Sequence, residues 1–389
     1  MVLRLASFVS RTHCLRTRII SHPYIENCVL PTLLDSAHTL ISSNSCRPSP
    51  LVAAWDLKIL RGIPCMPHMS DMEDETMKFV PKQTVTTGQP TVLYPTVAGV
   101  QTEVVDWPAK DPLQYSVLIV PGNPGCAHFY LEFAQALRTE LGTAAAINIV
   151  SHLGHQVNNN HSGRVFSLQE QIAHKTEFVR GLGAAAPVFI VGHSIGAHMG
   201  LEIMRALPSQ VHGVVGLFPF LQVDWNSRKQ IAIWSMVTTR LVVYTVMALA
   251  RLLAQLPVVA QRVFFHVMAT RSFSPASAEV TRRCLTQATV IDNATFMART
   301  EFEVLDRAPD WGFLQHAADR VRFIFTKDDH WGPMWMYDKV RQRIPGLRNE
   351  ICDDVNHGFC CSSAYSVKVA KHAATMLNDL VARLDGSPK

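Results

Sequence analysis

The stretch PVFIVGHSIGAHMGLEIM, residues 187–204, poses the first question about this chain. An apolar run typical of a buried strand ends at Gly192, and a run with helical spacing follows Gly196. The pentapeptide between them, GHSIG, has the form G-x-S-x-G, which places Ser194 on a sharp turn between a strand and a helix. Such a serine is either a catalytic nucleophile or a small residue in a tight turn. Because Gly and Ser are common turn residues, the surrounding sequence has to decide between the two.

Apolar strand-like runs alternate with helical runs on both sides of this stretch. YSVLIVPG (residues 115–122) has the pattern of a buried strand that ends at a Pro-Gly break. SLQEQIAHKTEFVRGL predicts a helix, because Ser167 and Glu170 stand at capping-box spacing at its start. The alternation runs from Thr91 toward the C-terminus and predicts an α/β fold, with a mostly parallel sheet covered by helices on both faces.

The alternation stops over residues 228–315, which we interpret as an insert. Its first part, IAIWSMVTTRLVVYTVMALARLLAQLPVVAQRVFFHVM, is apolar almost throughout. Lys229, Arg240 and Arg251 divide it into uncharged stretches shorter than the roughly 20 residues needed to cross a bilayer. We therefore expect a helical hairpin or interfacial pair. It would be either a lid over an active site or an element that lies in a phospholipid monolayer.

Candidate partners for Ser194 follow the insert. VRFIFT leads directly into Asp328 and Asp329, and the next strand-like run leads into His357. A nucleophile, an acid and a histidine in this order, each after a strand, form the catalytic triad of an α/β-hydrolase. In that triad His357 would accept the Ser194 proton and pass it to the leaving group, while Asp328 or Asp329 would orient the imidazole.

Upstream, VPGNPG (residues 120–125) follows a predicted strand at the position of an oxyanion loop. The backbone N–H of Ile195, directly after the serine, is one expected oxyanion donor, and Asn123 or a neighbour is the other.

Three other histidines lie near these motifs. His193 precedes the serine and is expected to point away from it in the sharp turn, so we assign it no role in proton transfer. His152 and His155 either lie in the core with their hydrogen bonds satisfied or line a pocket.

Composition narrows the function classes. The 389-residue chain is 48% hydrophobic, has a net charge of +5, and lacks a stripe of basic residues interleaved with aromatics, so a nucleic-acid partner is not expected. Nine cysteines without paired spacing predict neither a disulfide framework nor a zinc site, and favour a reducing compartment. We expect no metal and no cofactor.

Residues 1–68 differ from the rest and are not expected to belong to the fold. They carry seven Arg/Lys against three acidic residues, and no acidic residue precedes Glu26. This composition is typical of a mitochondrial transit peptide. The alternative, which we favour, is an upstream extension of the gene model, with the protein beginning at the acidic segment MSDMEDETMKF.

Several motifs together are similar to those of the lipid droplet-associated hydrolase family, over about residues 79–389. They are LIVPGNPGCAHFYLEFAQAL, SHLGH, GHSIGAHMGLEIM, LFPF, DDHWGP and NHGF. The resemblance implies an α/β-hydrolase fold with Ser194, Asp329 and His357 as the triad. The family's acid stands in an Asp-Pro-Trp-like turn, from which Asp329-His330-Trp331 departs at the middle residue.

The resemblance also implies attachment to lipid droplets and the endoplasmic reticulum through the apolar insert, with sterol esters as a substrate class. Our leading hypothesis is accordingly a cofactor-independent serine esterase that acts on lipid acyl esters at the cytosolic face of these membranes. The alternatives are a droplet- or membrane-binding scaffold with little lipase activity, and an acyltransferase or thioesterase that uses the same serine.

Overall fold

A central sheet organises the chain. The structure, a computed structural model, describes residues 89–156, 163–268 and 273–384, so the expectations for residues 1–68 lie outside the described part. The strands are β1 Thr91–Leu93, β2 Thr96–Val97, β3 Val100–Gln101, β4 Val104–Trp107, β5 Tyr115–Val120, β6 Ala145–Val150, β7 Val188–His193, β8 Val211–Leu217, β9 Val321–Phe325 and β10 Asn349–Ile351.

The sheet has eight strands in the order β1-β4-β6-β5-β7-β8-β9-β10, and β2 and β3 form a separate hairpin. Strand β4 pairs antiparallel with both β1 and β6, and the remaining pairs are parallel. At the centre of the sheet, Gly192 on β7 pairs with Val120 on β5 and with Gly216 on β8. The carboxyl ends of these strands therefore meet at one edge of the sheet.

Helices cover both faces of the sheet, as the sequence predicted. They are α1 Leu131–Leu141, α2 Leu168–Gly181, α3 Ile195–Ala206, α4 Arg228–Thr238, α5 Arg240–Ala254, α6 Val258–Met268, α7 Pro275–Leu285, α8 Ala288–Leu305, α9 Trp311–His316, α10 Met334–Arg343 and α11 Ser363–Leu384. Helix α2 begins with the predicted capping box between Ser167 and Glu170.

Successive residues of the central strands point to opposite faces and enter two separate cores. Phe189 and Val191 join one apolar cluster with residues of α1 and α11, whereas Val188 and Ile190 join the other with residues of α3. A strand buried on both faces reads as a continuous apolar run, which explains why β7 shows no polar alternation.

The insert between β8 and β9 comprises α4 to α9. Its apolar first part forms three helices, not the expected pair, and α4 and α5 meet at an angle of 80°. Within the described part of the chain, no individual helix has the length and apolarity needed to cross a membrane. Only the bent pair α4 and α5 meets those criteria when the two are taken together.

Helices α5 and α6 expose many large apolar side chains, which we call the apolar face. Leu241, Leu252, Val259 and Val267 expose between 65% and 75% of their surface. The other members are Tyr244 and Leu249 on α5, Val258, Val263 and Phe264 on α6, and Leu256 between the two helices. Large exposed apolar patches mark interaction sites.

Candidate active site

Ser194 occupies the turn between β7 and α3 in a strained backbone conformation. Its φ is 56° and its ψ is −122°, a combination that residues with a side chain rarely adopt. The flanking glycines permit the turn, since a Cβ at Gly192 would lie 2.2 Å from the Gly196 carbonyl oxygen, and one at Gly196 would lie 2.3 Å from that of Val120. The G-x-S-x-G spacing is therefore a steric requirement of this turn.

His357 and Asp329 form a hydrogen-bonded pair at the same edge of the sheet. The distance between His357 Nδ1 and Asp329 Oδ2 is 2.8 Å, and Asp329 Oδ1 accepts the backbone N–H of Trp331, also at 2.8 Å. Asp329 follows β9 and is buried, whereas Asp328 is exposed. The carboxylate that faces His357 thus belongs to Asp329.

The surroundings of Asp329 keep it ionised. Burial by itself would raise the pKa of this carboxyl group, but His357 and the backbone N–H groups of Trp331 and Gly332 outweigh that effect and hold the pKa below its usual value. A carboxylate in this state accepts the Nδ1–H of an imidazole and leaves Nε2 of His357 as the proton acceptor.

His193 contacts both Ser194, its neighbour in the chain, and the ring of His357, so these two residues lie in the same region. The rings of His193 and His357 lie 4.8 Å apart between centroids, and Ser194 directly follows His193 in the chain. Among the described residues, the Ser194 hydroxyl forms no hydrogen bond with His357. Catalytic hydrogen bonds are often long before substrate binds and shorten in the substrate complex.

His193 packs against His357 and is held by Tyr130. The Tyr130 hydroxyl accepts the N–H of Gly122 at 2.8 Å and lies 2.6 Å from His193 Nδ1, so its own proton is available to that nitrogen. Burial, with the nearby His357, holds the pKa of His193 well below its usual value. His193 is therefore neutral and supports the imidazole of His357 by packing.

The predicted oxyanion loop, residues 120–125, has few backbone N–H groups that are not already hydrogen-bonded. The N–H of Gly122 donates to Tyr130, the N–H of Gly125 donates to His155 Nδ1 at 3.0 Å, and the two prolines have none. This leaves Asn123, whose N–H has no acceptor among the described residues. On the other side of the site, Ile195 is the first residue of α3, where backbone N–H groups lack intrahelical partners.

His152 and His155 lie beside this loop in the core, but they are not satisfied as the first expectation had it: both ring nitrogens of His152 and Nε2 of His155 have no hydrogen-bond partner among the described residues. Both are fully buried, and the Gly125 backbone packs so closely on the His152 ring that a Cβ there would lie 2.0 Å from it. Burial lowers the pKa of His155 to about 3, which keeps its Nδ1 free to accept from Gly125.

The side chain of Asn123 joins the loop to the insert, a contact that the sequence did not predict. Its Nδ2 donates to the Ala294 carbonyl and to Glu301 Oε1, both at 2.9 Å and both on α8. Burial raises the pKa of Glu301 to about 7, against the opposing effect of the Asn123 hydrogen bond. The partners are more than 170 residues apart in the chain, and nothing in their local sequence pairs them.

Aromatic side chains surround the His357 imidazole. The rings of Phe218 and Trp331 both lie 6.3 Å from it, and Phe220 packs against Trp331 at 5.0 Å. The site therefore combines a polar hydrogen-bonded pair with a largely apolar wall.

Comparison with known proteins identifies the fold and the family. Among solved structures, a haloalkane dehalogenase from Agrobacterium tumefaciens superposes with a TM-score of 0.60 at 14% identity, over 75% of this chain and 98% of that one. An epoxide hydrolase from Vigna radiata gives 0.54 at 14% identity, over 75% and 98%. These neighbours confirm the α/β-hydrolase fold.

Curated relatives are named lipid droplet-associated hydrolase. The mouse protein is 24% identical over 68% of this chain and 84% of its own length, and the Dictyostelium discoideum protein is 24% identical over 72% and 93%. The family model described as lipid-droplet associated hydrolase matches residues 114–360, well over half of the chain. This protein is therefore a hydrolase that belongs to the lipid droplet-associated hydrolase family.

Proposed function

We propose that the protein is a serine hydrolase that cleaves lipid acyl esters at the surface of lipid droplets. The observation that carries this proposal is the 2.8 Å pair between Asp329 and His357, beside a serine in a strained strand-to-helix turn. Nucleophile, base and orienting acid are what acyl transfer through a serine requires.

In the proposed reaction His357 Nε2 takes the proton from the Ser194 hydroxyl as its oxygen attacks the ester carbonyl. The tetrahedral intermediate expels the alcohol, which receives that proton from His357, and an acyl-enzyme on Ser194 remains. Water then attacks the acyl-enzyme by the same route and releases the acid. Throughout, ionised Asp329 holds the imidazole and stabilises its protonated form.

The developing oxyanion would be bound by two backbone N–H groups, those of Ile195 and Asn123. Support for Asn123 comes from elimination, since its neighbours in the loop either donate elsewhere or lack an N–H. Support for Ile195 comes from its position at the start of α3, where the helix dipole also favours negative charge. A donor of this kind contributes about 100- to 1000-fold to kcat in enzymes of this type.

An apolar substrate suits the surroundings of the site. Phe218, Phe220 and Trp331 present apolar surface next to the His357 imidazole. Long acyl chains and the ring system of a sterol ester bury well against such a wall, so we propose lipid acyl esters, sterol esters among them, as the substrate class.

The apolar face of α5 and α6 is the proposed docking element. It presents Leu, Val, Tyr and Phe side chains to the exterior, with Arg251 and Arg262 exposed on the same two helices. Amphipathic helices with this composition bind at the boundary between head groups and acyl chains, and basic residues add attraction to anionic lipids. We propose that this face docks on the droplet monolayer and on the cytosolic face of the endoplasmic reticulum. The name of the relatives, lipid droplet-associated hydrolase, supports the droplet.

The test combines labelling of the serine with a substrate panel. Wild-type protein should react with a fluorophosphonate and hydrolyse a soluble short-chain ester, and Ser194→Ala should lose both, with a fall in kcat on the order of 10⁴- to 10⁶-fold. Triglyceride and cholesteryl ester presented on artificial droplets then measure the lipid activity directly. The proposal is wrong if the alanine variant still labels, and its substrate class is wrong if no droplet-borne ester is cleaved while the soluble ester is.

The same panel separates the two alternative functions. Transfer of the acyl group to an added alcohol or thiol in preference to water would identify an acyltransferase. Droplet binding without labelling or turnover would identify a scaffold, because fold and triad residues alone do not establish turnover.

A further inference from the structure

Three side chains of the types that bind metal ions cluster together next to the end of the oxyanion loop. Glu103 precedes β4, Cys126 caps the short 3-10 turn that follows the loop, and His128 lies within that turn. Their Oε1, Sγ and Nδ1 atoms all lie within 4.8 Å of one another. The backbone thus brings two parts of the chain, more than 20 residues apart, to a single point.

The distances in this cluster match those between the ligands of a tetrahedral zinc ion. Zinc bonds to nitrogen and oxygen are about 2.0–2.2 Å and those to sulfur about 2.3 Å, so neighbouring ligand atoms lie about 3.3–3.8 Å apart. His128 Nδ1 is 3.4 Å from Glu103 Oε1 and 3.8 Å from Cys126 Sγ. Two of the three distances therefore match neighbouring corners of such a site, and the third, between Glu103 and Cys126, is below 4.8 Å.

A second cysteine lies next to the cluster. Cys284, near the end of α7, is fully buried and interacts with the thiol of Cys126, although its Sγ does not lie within 4.8 Å of all three ligand atoms. A movement of this side chain toward the ion would complete a four-coordinate set of two cysteines, one histidine and one carboxylate, which are side chains that zinc prefers.

The environment of Glu103 provides an independent observation. This glutamate is fully buried, its Oε1 accepts the Ser151 hydroxyl at 2.7 Å, and its Oε2 has no partner among the described residues. A buried carboxylate is costly unless a cation lies beside it, and a protonated His128, 3.4 Å from Oε1, can supply that charge but leaves Oε2 without a partner. Hydrogen bonding of a ligating carboxylate to a second side chain, as with Ser151, is a regular feature of metal sites.

We propose that Glu103, Cys126, His128 and Cys284 bind one structural Zn²⁺ ion. The ion would tie the base of the oxyanion loop to the edge of β4 and to α7 of the insert. Binding requires both thiols to lose their protons to solvent and Nδ1 of His128 to be unprotonated, with its proton on Nε2. The proposal goes beyond the proposed function and departs from the expectation, based on cysteine spacing, that the chain holds no metal.

Metal content of the full chain tests the site. Protein expressed with added zinc and dialysed against metal-free buffer should keep one zinc ion per chain, whereas Cys126→Ser and Cys284→Ser should each lose it. Cys352→Ser is the matched control, because Cys352 is also a buried free cysteine but lies after β10. Ser151→Ala should keep the fold and weaken zinc binding by about 10- to 100-fold.

A second measurement does not depend on whether the variants fold. Wild-type protein loaded with Co²⁺ should show the visible bands of tetrahedral cobalt and a near-ultraviolet band from thiolate-to-metal charge transfer. Wild-type protein with substoichiometric zinc, or a cobalt spectrum without the thiolate band, would overturn the proposal. So would a Cys126–Cys284 disulfide in protein alkylated before mass spectrometry, since a disulfide consumes both sulfur ligands.

Discussion

Replacement of Leu252 and Val259 by aspartate should release the protein from lipid surfaces. These side chains belong to the apolar face and are 65% and 71% exposed. Full burial of a Leu or Val side chain contributes about 1.5–3 kcal/mol, so the exposed share of each is worth about 1–2 kcal/mol when a monolayer covers it. The double variant then loses about 2–4 kcal/mol of docking free energy, or on the order of 30- to 700-fold in partition, before the cost of the two carboxylates is added.

Flotation with artificial droplets measures this partition directly. Leu113→Asp/Val367→Asp is the matched control, because both side chains are 44% exposed and both lie outside the insert. Soluble-ester activity and the free energy of unfolding should stay near wild type in both variants, since exposed positions contribute little to stability. Equal partition of the L252D/V259D variant and wild type, or an equal loss in the control pair, would show that docking does not use this face.

Three further changes address the site. Asp329→Asn should lower kcat on the order of 10⁴-fold in an esterase assay, as loss of the orienting acid does in serine enzymes. Asp328→Asn, at an exposed position, should stay within a few-fold of wild type in the same assay, and equal losses in the two variants would contradict the choice of Asp329. Gly192→Ala should destabilise the fold by about 1–3 kcal/mol or more in urea unfolding, because the new Cβ would lie 2.2 Å from a backbone oxygen, and unchanged stability would contradict the steric account of the turn. For Glu301, a folded-state pKa of about 7 against a usual 4.5 means that the folded state binds this proton more tightly, so its contribution to stability falls as pH rises from about 4.5 to 7. At about 1.36 kcal/mol per pKa unit, Glu301→Gln should remove up to about 3 kcal/mol of that fall when the free energy of unfolding is measured across this pH range. Parallel pH profiles for the variant and wild type would place the carboxyl in a less buried environment.

The α/β architecture was predictable because its signals are local. Buried strands such as β7 appear as continuous apolar runs, and helix starts such as Ser167 carry their own capping residues. The strained turn at Ser194 was equally readable, since its two glycines are required by contacts within a few residues or with the adjacent strand. Local sterics and periodicity leave a record in the sequence that a single chain is enough to read.

Contacts between distant segments leave no such record. The pairing of Asn123 with Glu301, and of Glu103 with Cys126 and His128, depends on how the insert and the first strands pack against the oxyanion loop. The predicted number of helices in the insert was also wrong. In addition, a uniformly apolar sequence does not show whether its helices are exposed or buried. Their exposure, which distinguishes α5 and α6 from core helices, is a property of the tertiary structure.

The link from Asn123 to α8, which packs against α5, would make the proposed docking element and the proposed oxyanion loop parts of one thermodynamic system. Asn123 would present its backbone N–H to the oxyanion, while its side chain is fixed to the Ala294 carbonyl and to Glu301 in the insert. Coupling between two binding sites is reciprocal. If binding to a lipid surface rearranges the insert and changes the affinity of the oxyanion site by some factor, occupancy of the oxyanion site changes the affinity for the surface by the same factor. A droplet that activates the enzyme would therefore hold it most tightly while an ester is being cleaved, and would release it more readily once the site is empty.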